Sequence, residues 1–144
     1  MRYFFALLLC LPIGASAQLT SLTVPSVGVT RVDTPVSFST ARFDAPMVAG
    51  DATGSIRLAV ENGTLSLADV QGLSFDAGDG MNDSELVFSG TAQDVNTALD
   101  GLVFTPDAGF AGRANITLSG DGHSATWFVA VNRPIDATEA RNTI

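Results

Sequence analysis

The stretch GLSFDAGDGMNDSELVFSGTAQDVNTALDGLVFTP, residues 72–106, decides how the rest of the chain is read. It begins with an alternating run, enters a loop rich in Gly and Asp, and leaves it through a second alternating run. That pattern predicts two strands joined by a long turn. The period then changes. Thr91 is a good helix N-cap, Asp94 stands three residues later as a shortened capping-box partner, and Val95, Ala98 and Leu99 form one apolar stripe. Asp100-Gly101 ends the run, since glycine just past a helix accepts the left-handed conformation. The spacing therefore predicts a helix over 92–99. Two turns do not hold together alone in water, so this helix must lie on a sheet as a crossover, most simply capping one open end. A last strand follows and stops at Pro106.

Outward from this stretch, a period of two dominates. Residues 19–24 read as a first strand halted by Pro25, and 27–32 as a strand along a sheet edge. Asp33-Thr34-Pro35 is a turn, and 36–39 alternate again. Residues 41–53, with Asp44, Pro46, Gly50 and Asp51, read as a loop whose Met47 and Val48 tuck under the core. Ile56, Leu58 and Val60 share one face of a half-buried strand. Asn62-Gly63 signals a hairpin, with 64–67 returning as the partner. On the other side, residues 115–119 and 125–132 form a hairpin around Gly120-Asp121-Gly122. Trp127, Val129 and Val131 share its inner face, and Phe128 lies opposite. Many short strands with frequent turn signals predict an all-β sandwich carrying one short crossover helix.

The 144 residues suffice for one domain. Residues 1–17 have the pattern of a secretory signal peptide: Arg2, an apolar run from Tyr3 to Ile13, and a small-residue site at Ala15-Ser16-Ala17 that places cleavage before Gln18. The apolar run falls well short of the roughly 20 residues that span a bilayer, and no later stretch reaches that length. The expected organisation is a leader at 1–17, a sandwich at 18–134 and a polar tail at 135–144. Cys10, the single cysteine, lies in the leader, so the exported chain relies on its core rather than on disulfides. The chain carries 15 Asp and Glu against 7 basic residues, all of them arginine. That balance argues against nucleic acid or an anionic membrane as partner.

The run NGTLSL, GLSF, GDGMND and ELVFSGTAQDVNTALDGLVFTPDAGFAG, with DTPVSF upstream, resembles the cadherin-like, immunoglobulin-like repeats of large bacterial surface adhesins. The resemblance covers roughly residues 33–132 and is densest over 62–112. It implies a β-sandwich exposed outside the cytoplasm, a role in adhesion or spacing, and, in many relatives, calcium at module junctions. At two positions where those relatives often place acidic residues, this chain has Val32 and Ala114.

Candidate chemistry is sparse. The loop from Asp76 to Asp83 gathers Asp76, Asp79 and Asp83, the side chains that would hold a calcium ion, with Asp107 a weaker fourth. The competing reading is a turn whose Asp and Asn side chains bond their own backbone. His123, the single histidine, follows Gly-Asp-Gly at a hairpin tip, and no G-x-S-x-G elbow accompanies it. No catalytic residue or organic cofactor is expected. The expected function is an exported, non-catalytic module that meets a protein or carbohydrate surface, with calcium-dependent stability as the alternative and a secreted hydrolase behind both.

Overall fold

The structure, a computed structural model, describes residues 19–25, 27–40, 45–50 and 54–134. The expected leader and tail lie outside the described residues. In chain order the elements are β1 (Leu19–Thr23), β2 (Val27–Arg31), β3 (Val36–Phe38), β4 (Met47–Gly50), β5 (Ile56–Val60), β6 (Gly63–Ser66), β7 (Ser74–Ala77), β8 (Glu85–Ser89), α1 (Ala92–Leu99), β9 (Leu102–Pro106), β10 (Gly112–Gly120) and β11 (His123–Asn132). They form an all-β sandwich. One sheet has six strands in the order β2-β11-β10-β5-β8-β7, the facing sheet has three in the order β3-β9-β6, and β1 pairs with β4 in a small third sheet.

The core follows from alternation. Ile56, Leu58 and Val60 on β5, Leu86 and Phe88 on β8, Ile116 and Leu118 on β10, and Trp127, Val129 and Val131 on β11 all point inward. Phe38, Leu65, Leu102 and Phe104 meet them from the three-stranded sheet in one continuous cluster. Each large apolar side chain buried in this way stabilises the fold by about 1.5–3 kcal/mol, which is how a chain with no cysteine after Cys10 holds together. Phe38 meets Trp127 edge to face, with ring centroids 5.8 Å apart. The Trp127 indole N–H is buried there, with no hydrogen-bond partner among the described residues.

Helix α1 spans the residues its sequence predicts. The Thr91 hydroxyl accepts the Asp94 amide, and Val95, Ala98 and Leu99 are buried. Gly101 has φ 108°, in the region that glycine alone enters freely at a helix end. The helix carries the chain from β8 in one sheet to β9 in the other, which is the crossover its length demands. The last hairpin also forms as predicted. Its turn consists of Asp121 and Gly122, both at positive φ, and Gly120 faces His123 across it.

Two expectations are corrected. Residues 47–50, read as loop, form strand β4, paired antiparallel with β1 from Thr23↔Met47 to Leu19↔Gly50. Val48 is buried as expected, but Met47 is exposed. Nothing local announces this strand, because its backbone bonds are completed by a helix side chain. The Val48 N–H donates to Asn96 Oδ1 at 2.8 Å and the Asn96 Nδ2 donates to the Val48 carbonyl at 2.9 Å. The second correction concerns Asn62-Gly63. No hairpin forms there, because β5 belongs to the six-stranded sheet and β6 pairs with β9 in the other. The turn carries the chain across the sandwich. Asn62 does take the positive φ its type allows, but Gly63 is required for space: a Cβ there would lie 2.4 Å from the Phe104 ring and 2.5 Å from the Thr105 carbonyl oxygen.

Candidate functional site

The loop between β7 and β8 holds all three carboxylates singled out from the sequence, and its hydrogen bonds show what each does. One Asp83 oxygen accepts three backbone amides, from Asp79 at 3.0 Å, Gly80 at 3.0 Å and Met81 at 3.2 Å. The Asp79 carboxylate accepts the Met81 amide at 3.0 Å. Asp76 stands exposed on β7, at a register shift between Phe75 and Ala77. Gly78 and Gly80 take positive φ so that the chain can curl around Asp83. Among the described residues, no group of three or more His, Cys, Asp or Glu side chains is placed to hold a metal ion.

The same loop reaches across to the facing sheet. Asp83 and Leu65 exchange both backbone hydrogen bonds, at 2.8 and 3.0 Å, and the Leu67 amide donates to the Gly80 carbonyl at 2.8 Å. The Asn82 amide donates to Ser66 Oγ at 2.9 Å. The loop therefore covers the outer edge of β6, the side not paired with β9. An open edge of this kind invites pairing with other chains. At this site the Asp/Gly-rich run acts as a strap between the two sheets.

Other acidic side chains work in the same way, which the sequence did not reveal. Asp33 accepts the Gly109 amide at 2.7 Å, and Asp121 accepts the Leu19 amide at 2.9 Å. Asp100 accepts both the amide and the hydroxyl of Thr40, at 2.8 and 2.9 Å. Each clamp joins positions far apart in the chain, so no local spacing could have announced it. Asp107, the weaker cation candidate, is exposed in the turn after β9, where its carbonyl accepts the Phe110 amide at 3.0 Å. Val32 and Ala114 both contribute to the apolar interior: Ala114 is fully buried and Val32 packs against the core.

His123 is exposed at the start of β11, opposite Gly120. The outer face of the six-stranded sheet is mainly polar, with Arg57 paired to Glu85, Asn115 bonded to Glu61, and Thr117 bonded to Thr126. Its apolar residues gather at the β2 side. Val27 and Val29 are 47% and 61% exposed, beside Phe128 and Ala130 in register on β11. The Arg113 guanidinium stacks over the Phe128 ring at 3.9 Å. A groove of about 570 Å³ follows, lined by Val29, Thr30, Arg31, Asn132, Arg133 and Pro134. Among the described residues, no helix is long and apolar enough to cross a membrane.

No family model matches the chain, and no curated protein matches it. Among solved structures it is similar to domains 4 and 5 of the S-layer protein SbsC, at 14% identity and a TM-score of 0.39 over 82% of this chain and 54% of that one. A structure of SbsC domains 4–9 is similar at 13% identity and a TM-score of 0.40, over 83% of this chain and 15% of that one. A chain of the titin M10–obscurin-like 1 Ig complex is similar at 16% identity and a TM-score of 0.35, over 83% of this chain and 96% of that one. The chain spans about half the length of the two-domain SbsC structure. The all-β sandwich is defined by its strands and their pairing.

Proposed function

We propose that the chain is an exported, non-catalytic β-sandwich module that acts at the cell surface or in the periplasm, by adhesion, binding or structural spacing. The observation that carries this reading is where its chemistry lies. Carboxylates hold loops together, the interior is aliphatic and aromatic, and exposed apolar side chains stand at both ends of the six-stranded sheet, Val27 and Val29 on β2 and Val70 and Met81 beside β7. Contact surfaces are what such a body has to offer, and the fitting partner is a protein or carbohydrate surface. The leader pattern at 1–17 and the acidic balance support export and argue against nucleic acid. In this reading the module spans 18–134 and the tail 135–144.

The test is fractionation of cells producing the full chain, with N-terminal sequencing of the accumulated protein. The expected result is a chain beginning at Gln18 outside the inner membrane. An intact chain beginning at Met1 in the cytoplasm would contradict the proposal.

We infer further that the Asp76–Asp83 loop serves the fold as a strap, with calcium at Asp76, Asp79 and Asp83 as the alternative. What supports the strap is that one Asp83 oxygen already accepts three amides. A carboxylate oxygen satisfied in this way has little left to give a cation that seeks six to eight oxygens.

A further inference from the structure

The six-stranded sheet ends in two edges of opposite character. At one end is β2, with exposed Val27 and Val29 and with Arg31; Arg133 lies beside it, and Arg113 stands two strands inward over Phe128 of β11. At the other end is β7, with exposed Asp76; Asp69, Asp79 and Asp83 flank it, and Val70 and Met81 are 42% and 67% exposed beside them. The sequence enforces this division, because no arginine or lysine occurs between Arg57 and Arg113, while the acidic residues run throughout that interval. Among the described residues, Asp33 lies near the basic edge with its carboxylate on the Gly109 amide, and Arg31 and Arg133 outnumber it there; Asp69, Asp76 and Asp79 at the other edge have no arginine in their own segment.

From these observations we propose that the partner of the β2 edge is the β7 edge of a second copy of this chain, in a head-to-tail contact that continues the six-stranded sheet from copy to copy. The proposal deepens the reading of the chain as a surface or spacing module and rests on it. Strand directions allow it. β2 runs parallel to β11, and the antiparallel steps through β10, β5 and β8 leave β7 running the same way as β2. Copies related by translation and twist would therefore meet as parallel strands. Such a contact uses different surfaces on the two partners and does not close on itself, so it yields open chains or rings rather than a dimer. Both strands are short, and the register shift in β7 limits the ladder to a few hydrogen bonds. The contact is thus weak and depends on the arginine–aspartate attraction, which salt screens.

The test is sedimentation of the full chain, in the form that cells accumulate, over a range of concentrations at low and high salt. The expected result is a weight-average mass that rises with concentration past the dimer and falls back as salt is added. Arg31→Glu and Asp76→Arg, both at exposed positions, should each weaken association by roughly five- to tenfold, as expected for replacing a surface attraction with a repulsion. An equimolar mixture of the two variants should recover it, because the acidic β2 edge of the first then meets the basic β7 edge of the second. Unchanged thermal midpoints would show that both variants fold. A chain that stays monomeric at low salt, a mass that stops at the dimer, or a mixture no stronger than either variant would overturn the proposal. Export to the surface is read separately by fractionation, so self-association can fail while the module reading stands.

Discussion

Asp83 and Gly63 both fix local structure, for different reasons. Asp83 collects three backbone amides in one half-buried carboxylate. Replacing it with alanine leaves those donors without their acceptor while the loop must still cover β6. Asp83→Ala is expected to lower stability by about 1–3 kcal/mol, read as a lower denaturation midpoint. Asp83→Asn, which keeps an acceptor oxygen, should cost less. Gly63 is needed for space. Its φ is ordinary, but the Phe104 ring and the Thr105 carbonyl occupy the volume a methyl group would take. Gly63→Ala should therefore destabilise by about 1–3 kcal/mol through overpacking, whereas Asn62→Gly, at the positive φ beside it, should change stability by well under that. The pair looks like a hairpin signal in the sequence. The same two residue types also suit a chain passing between sheets under a packed phenylalanine, and only the pairing of β6 with β9 distinguishes the cases.

Among the elements, α1 was legible and β4 was not, and the difference is physical. The helix carries its start, stripe and stop within a few residues, so local chemistry specifies it. Strand β4 has only four residues, sits among Pro and Gly, and is held by a distant strand on one side and by the Asn96 amide on the other. Asn96 imitates a neighbouring strand by giving and taking one hydrogen bond with Val48. Asn96→Ala should destabilise the protein by about 1–3 kcal/mol, the cost of stranding a part-buried donor and acceptor. Amide exchange at Val48 would quicken by more than the global loss explains. Val48 exchange unchanged by Asn96→Ala would mean that the helix does not hold β4. Thr91→Ala removes the N-cap of α1 and should cost about 1 kcal/mol, with exchange quickening in the first turn of the helix.

At the scale of the whole molecule, the sandwich follows from alternation, and the inward sets on β5 and β11 were readable before any pairing was known. What could not be read was the division of strands between sheets, since register and partner are long-range choices. The candidate site was legible to the same degree. The residues Asp76, Asp79 and Asp83 were visible as a cluster, but their engagement with backbone amides and with β6 depends on where the loop docks. If this Asp/Gly-rich run is a strap that closes the sandwich, it needs no ion to do so. A cation bound only by the native state at a hundredfold excess over its dissociation constant would add about 2.7 kcal/mol, a shift of several degrees that is easily seen. Thermal unfolding of the full chain in millimolar calcium and in chelator, alongside Asp83→Ala, therefore separates strap from ion site. A strap gives the same midpoint with and without calcium, and a lower one for Asp83→Ala in both. A midpoint raised by calcium in the natural chain, with the rise lost in Asp76→Asn or Asp79→Asn, would show an ion site in its place.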